Sequence, residues 1–156
     1  MTQRIPLQGK RGAGRFALVD DSDFALVTPH RWHIHVSNAG QEYVRGWVNG
    51  RHVRMHCLIM GRRGIDHVNG DRLDNTRTNL RVATQSQNAA NSGPRRGKQY
   101  KGTYWQQGCP WRAEIRVGGV RRHLGSFSDE ESAARAYDTA ALAAWGPFAR
   151  LNFPVA

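Results

Sequence analysis

The sequence predicts an α+β chain of two small units: N-terminal antiparallel strands leading into a strand–loop–strand–helix core, then a separate three-stranded antiparallel sheet packed on one helix. Three observations carry that reading. Trp32-His33-Ile34-His35-Val36 alternates apolar and polar residues, and Asn49-Gly50 is a two-residue hairpin signal between two further strand-like runs. Ile65 to Asn91 passes from an Asp-His pair through a polar loop to a short strand at Leu80 to Thr84 and a helical segment carrying Asn88. Trp111 to Val117 alternates strictly, and Ala133, Ala136, Tyr137, Ala140, Ala141 and Ala144 then recur at helical spacing. The Gly, Pro and basic residues of Ser92 to Gln99 separate these halves, which places a first unit at 1–91 (strand meander 15–56, core 65–91), a basic linker at 92–99 and a second unit at 100–156.

Taken in order, the segment before Arg15 has turn-formers and charge but no apolar period, so order is expected to begin at Arg15. Phe16 to Val19 reads as a strand. Asp20-Asp21-Ser22-Asp23 reads as a turn and helix cap, since the later glycine and distal glutamate of a calcium loop are missing. Phe24 to Val27 suits a strand or a capped helical turn, and Pro29 ends it. In the next strand His33 and His35 share the polar face; with no third ligand at a convincing spacing they read as solvent- or DNA-facing. Asn38-Ala39-Gly40 turns the chain into Glu42 to Val48, and Arg51 to Met55 completes a meander whose Trp32 and Trp47 are expected in the core. Met55 to Met60 is an apolar run read as a short helix, with His56 given a structural role.

The formal charge of +11 and pI near 11.0 point to a polyanionic partner. From Ala89 to Ser128 eight Lys or Arg stand against Glu114 alone, so most of the excess lies there. No apolar run approaches the roughly 18 residues that span a bilayer, and no secretory signal is visible, so a cytoplasmic setting in a bacterial or phage-infected cell is expected. Cys57 and Cys109 are far apart with no Cys-x-x-Cys, which argues against a disulfide framework and a structural zinc.

Phosphodiester hydrolysis requires an activated water, stabilisation of charge on the phosphate and help for the leaving 3′ oxygen. His67 can take a proton near neutral pH, Asp66 offers carboxylate oxygen suited to magnesium, and Asn88 offers an amide oxygen of the same hard class. Neighbours on a strand point to opposite sides, so Asp66 and His67 can share a site only where the backbone bends; Asn69-Gly70 allows that. Asp66-His67, Asn79 before Leu80-Arg81-Val82, and Asn88 together resemble the HNH endonuclease family. Within it, the run from Asp66 to Asn88 is similar to the phage and intron-encoded homing enzymes whose last motif residue is Asn. The resemblance implies a ββα-metal core with one divalent ion, Mg2+ or Mn2+, held by Asp66 and Asn88. His67 would be the general base, and Asn79 would hold the loop that orients it. Arg81, beside the site, is assigned to the scissile phosphate.

Beyond the linker, Gly102 to Trp105, Trp111 to Val117 and Val120 to Phe127 read as three strands, and Ser128-Asp129-Glu130-Glu131 as a capping box with Ser128 as N-cap of a helix to Trp145. Trp111, Ala113, Ile115 and Val117 form an apolar face and Arg112, Glu114 and Arg116 the opposite one. Arginines on an antiparallel ribbon suit the major groove. Lys101-Gly102-Thr103-Tyr104-Trp105, Leu124-Gly125-Ser126-Phe127, Ala133 to Asp138 and Leu151-Asn152-Phe153-Pro154 resemble the APETALA-two or ethylene-response-factor (AP2/ERF) DNA-binding domain over Tyr100 to Pro154. That resemblance implies base or phosphate contacts from Lys101, Tyr104, Arg112, Glu114, Arg116, Arg121 and His123, and the linker adds Arg95, Arg96 and Lys98 along the backbone. Tyr104 and His123 replace the family's usual Arg and Trp, so a different target is expected. The expectation is a site-specific homing endonuclease acting as a monomer on double-stranded DNA, without membrane or small-molecule cofactor. The alternatives are a DNA-binding regulator with an inactive nuclease core and, more weakly, an RNA-binding protein.

Overall fold

In the computed structural model, which describes residues 1–38, 40–108 and 111–154, order begins at the N-terminus and not at Arg15. Thr2–Pro6 (β1) pairs antiparallel with Phe16–Asp20 (β2), Ile5 opposite Ala17, and Ile5, Leu7, Ala17 and Val19 are buried. The sequence hides this strand because only Ile5 and Leu7 face inward, with Pro6 between them. Asp21–Val27 (α1) follows directly, the helical alternative for Phe24 to Val27. Asp20 holds the N-cap backbone position, but its carboxylate accepts from the Arg77 backbone N–H at 2.7 Å. Asp23, 3% exposed, accepts Nε and Nη2 of Arg77 at 2.8 and 2.7 Å. The acidic cluster thus ties the first turn of α1 to the chain just before the second core strand.

Trp32–Val36 (β3), Glu42–Val48 (β4) and Arg51–Arg54 (β5) form the expected meander in the order β3-β4-β5. Asn49 and Gly50 have φ of 48° and 76°, the left-handed pair that a type I′ hairpin demands. Trp32 is 1% exposed and donates its indole N–H to Val27 O at 2.8 Å. A Cβ on Gly46, its cross-strand partner, would lie 2.9 Å from that ring, so glycine lets the strands close over the indole. Trp47 corrects the expectation of a core residue: it is 59% exposed. Val44, Gly46 and Val48 occupy the inward positions of β4, and alternation sends Tyr43, Arg45 and Trp47 outward.

Met55–Ile59 (α2) is the short helix expected, and Ile65–His67 (β6) pairs antiparallel with Leu80–Val82 (β7), which a 3-10 turn at Arg77–Asn79 introduces. Trp32, Val19, Val27, Val44, Met55, Ile59, Ile65 and Leu80 are among the side chains of a single core beneath these elements.

Packing divides the chain into two units, Met1–Ala83 and Thr84–Ala156. Gln85–Ala90 (α3) opens the second and packs there against the C-terminal elements; Thr84 caps it through a capping box with Gln87. Thr103–Trp105 (β8), Trp111–Val117 (β9) and Val120–Phe127 (β10) form the antiparallel sheet β10-β9-β8, and Glu130–Trp145 (α4) covers one side of it. Ile115, Tyr137 and Ala141 are the buried centre of this core. At Gly102, φ is +83° and a Cβ would fall 1.9 Å from the Tyr137 ring, so only glycine brings β8 onto the helix. The N-cap of α4 is Asp129 and not Ser128: its carboxylate accepts the Ser132 N–H at 2.7 Å and the Ser132 hydroxyl at 2.8 Å. An ionised acceptor at the second position outcompetes the serine hydroxyl, which instead donates to Asp129. The turns at Asn38-Ala39-Gly40 and Gly108-Cys109-Pro110 lie partly, and Cys109 wholly, outside the described residues.

Candidate functional site

In the N-terminal unit the β6–β7 pair brings Asp66, His67, Asn79 and Arg81 together. Register alone places Arg81 opposite Asp66, and the arginine donates Nε and Nη2 to Oδ2 of the carboxylate at 3.0 and 2.9 Å. Both side chains are largely withdrawn from solvent, so the contact is a charge-assisted pair of the stronger kind. The guanidinium assigned to the scissile phosphate is therefore held on the residue assigned to the metal.

His67, 3% exposed, occupies different surroundings. Its Nε2 faces Asn75 Oδ1 at 3.5 Å, and its ring meets His56 edge-on with centroids 4.8 Å apart. Burial pushes His67 below its ordinary pKa; the Asn75 contact and the carboxylates of Asp66 and Asp71 oppose that, and Arg72 adds to it. His56 is pushed down to about 3 by burial, with His67, Arg54 and Arg72 acting in the same direction. Its Nδ1 is buried without a hydrogen-bond partner.

The loop from Val68 to Asn79 is held from inside. Asn79 Oδ1 accepts the Asn69 N–H at 2.9 Å, its Nδ2 donates to Asp74 O at 2.8 Å, and the Val68 N–H reaches Asn79 O. Asn75 is wholly buried and donates to the carbonyls of Leu73 and Arg72, while its own N–H binds Leu18 O. Asn75 is the site residue that sequence reasoning passed over. A loop asparagine normally reads as a turn-former, and the available signal was its position eight residues after the histidine in a loop already rich in Asn.

Asn88 sits on α3 in the other unit. No group of three or more His, Cys, Asp or Glu among the described residues could hold a metal ion. Taken singly, the Asp66 carboxylate and the Asn88 amide offer oxygens of the hard class that magnesium takes.

In the C-terminal unit the residues predicted to touch DNA stand on one face of the sheet in register: Tyr104 opposite Arg112, His123 opposite Glu114 and Arg121 opposite Arg116. Glu114 lies 3.6 Å from both Arg112 and Arg121 and spaces them. Arg116 donates to Gly119 O and Arg112 to Gln106 Oε1. Arg95, Arg96 and Lys98 are exposed. Lys101 is engaged differently. Its ammonium donates to the carbonyls of Ala89, Ala90 and Ser92 at the end of α3, and burial with nearby Arg150 brings its pKa down to about 8. No helix among the described residues is long and apolar enough to cross a membrane.

Comparison with known proteins finds sequence similarity to two families. Residues 63–90 match the HNH endonuclease family. An uncharacterised HNH endonuclease of Acanthamoeba polyphaga mimivirus is 28% identical over 146 residues, covering 91% of this chain and 77% of that protein. An ethylene-responsive transcription factor of Arabidopsis thaliana is 50% identical over 62 residues, covering 38% of this chain and 34% of the factor. A second, AP2-like ethylene-responsive factor of the same plant is 45% identical over 56 residues, covering 36% of this chain and 13% of that factor. The chain thus spans about three quarters of the viral protein and about a third or less of the plant factors. No solved structure matches the chain. The protein therefore joins an HNH endonuclease motif to a C-terminal domain of AP2/ERF type.

Proposed function

We propose that this protein is a site-specific DNA endonuclease of the HNH homing type, cutting through its N-terminal motif where its C-terminal sheet reads the duplex. The observation that carries the reading is the setting of His67. With Asn75 Oδ1 facing Nε2, the neutral imidazole keeps its proton there and carries its lone pair on Nδ1. Burial favours that neutral form at physiological pH. Nδ1 then takes the proton of the attacking water as it bonds to phosphorus, the P–O3′ bond breaks and the leaving 3′ oxygen takes a proton from solvent water, giving 5′-phosphate and 3′-hydroxyl ends. Asn79 holds the loop that fixes His67. Asp66 and Asn88 would hold a divalent ion, Mg2+ or Mn2+, which when bound supplies Lewis-acid stabilisation of the phosphate charge and the leaving oxygen.

On the reading side, Arg112, Arg116 and Arg121, with Tyr104, Glu114 and His123, would face bases and phosphates of the major groove, and Arg95, Arg96 and Lys98 would follow the backbone. Lys101 supports that surface by anchoring α3.

One observation favours the competing reading of a DNA-binding regulator. The Arg81–Asp66 ion pair already neutralises the carboxylate that a metal requires. The two readings separate in one assay: supercoiled plasmid incubated with wild type and with His67→Ala, in magnesium and in chelator. The nuclease reading expects nicked or linear product from wild type in magnesium only. Wild-type binding with no product in magnesium or manganese would support the regulator.

A further inference from the structure

We infer that the outer face of the β3-β4-β5 sheet is a second DNA-contacting surface, which takes the phosphate backbone of the duplex beside His67. This deepens the nuclease reading and rests on it. Alternation and register put seven side chains on that face: His33 opposite Arg45, His35 opposite Tyr43, Arg45 opposite Arg54, and Trp47 opposite His52. None is acidic. Glu42, the acid of β4, has the opposite parity and pairs with Arg15 at 2.8 Å.

Arg45 and Arg54 stand directly across from each other, an arrangement that costs stability in a sheet. Neither has an ion-pair partner among the described residues, and Arg45 Nε is buried without a hydrogen bond. Burial, Arg45 and His52 keep His33 and His35 below their ordinary pKa, with Arg54 acting on His35 as well. Concentrated positive charge with no internal counter-charge is complementary to an external polyanion.

Two features select duplex backbone over other anionic partners. Tyr43 carries Arg54 at 4.2 Å and Arg72, from the site loop, at 5.2 Å, so guanidinium groups occupy the ring that an unpaired base would use. Trp47 is exposed but meets His52 edge-on with centroids 4.8 Å apart, and one such ring is too little apolar surface to enter a membrane. The face is also packed onto the site from behind: the Tyr43 ring centroid lies 5.9 Å from that of buried His56, which lies 4.8 Å from that of His67. A strand lying along Arg45 and Arg54 would pass Arg72 on its way to the base.

The test uses the full chain and a random-sequence duplex of about 30 base pairs, with affinity followed by fluorescence anisotropy across a salt series. Removing one phosphate-binding arginine should flatten the slope of log K against log salt by about 0.9. Arg54→Gln should therefore flatten it by about 0.9 and Arg45→Gln with Arg54→Gln by about 1.8, with roughly five- to ten-fold weaker binding per arginine near 0.1 M salt. Arg4→Gln, an exposed cation off this face, should change neither. Unchanged slopes, changes no larger than those of Arg4→Gln, or weakening seen only on single-stranded RNA or anionic phosphatidylserine vesicles would overturn the inference. If the double variant melts early, the exposed Arg54→Gln change decides. Adding magnesium to the same samples keeps the two readings apart. A wild type that binds but never cuts sinks the nuclease reading alone, and one that cuts while the slopes stay unchanged sinks the surface alone.

Discussion

At the scale of residues, a neutral imidazole at position 67 is what burial favours, and Asn75 Oδ1 is the group that faces its Nε2. Replacing His67 by Ala should reduce cleavage about 10²- to 10⁴-fold, the usual contribution of a general base. Asn75→Ala, a positioning change, should lower kcat about 10- to 100-fold with little effect on KM, read in single-turnover cleavage on the folded variant. The buried histidines also give stability a pH dependence whose sign is fixed. Both have folded pKa values below the ordinary one, and His56 resists protonation down to about 3. The unfolded chain takes up those protons near pH 6.5, so it binds more protons than the fold in the interval between. The N-terminal unit should be most stable above about pH 6.5 and lose stability as pH falls toward about 3, and His56→Leu should flatten that decline in urea midpoints. Asp66, His67 and Asn79 were legible because their spacing is a motif. The Arg81–Asp66 pair was not, since it depends on cross-strand register and not on sequence distance.

At the scale of elements, periodicity located the strands and helices, with β9, β10 and the end of α4 falling where alternation and alanine spacing put them. It failed where too few residues expressed a period. β1 shows one inward apolar residue, Ile5, with Leu7 just beyond it, and Trp47 was assigned to the core by its apolar neighbours although parity puts it outside. The end of α3 is another feature that no local pattern reveals, because Lys101 caps it from eleven residues after Ala90. Lys101→Met should remove that cap and destabilise the C-terminal unit by about 1–2 kcal/mol in chemical denaturation. The same unit has a thin apolar centre and relies on a polar tie. Asn152 exchanges hydrogen bonds with the Lys101 backbone at 2.8 and 3.0 Å, and Asp138 accepts the N–H groups of Asn152 and Phe153. Asn152→Ala leaves the Lys101 N–H and carbonyl short of partners and should cost about 2 kcal/mol, measured as a lower denaturation midpoint.

At the scale of the molecule, the strongest sequence signals are a motif whose residues suit cutting and a sheet whose residues suit reading. Composition shows positive charge concentrating after Ala89. It did not reveal the cationic face of the meander, whose histidines and arginines are dispersed in sequence and meet only when three strands align. If reading and cutting are separate, Arg112→Ala with Arg116→Ala should scatter the positions of cleavage while leaving the rate on saturating DNA within about threefold of wild type. The most direct measurement is sequencing of both strands' ends after the full chain meets a random duplex library in magnesium. A site-specific nuclease with His67 as its base should yield 5′-phosphate ends clustered at one sequence motif, abolished in chelator and reduced about 10²- to 10⁴-fold by His67→Ala. A library bound but left intact by wild type in magnesium and in manganese would contradict that assignment, as would equal cutting by His67→Ala.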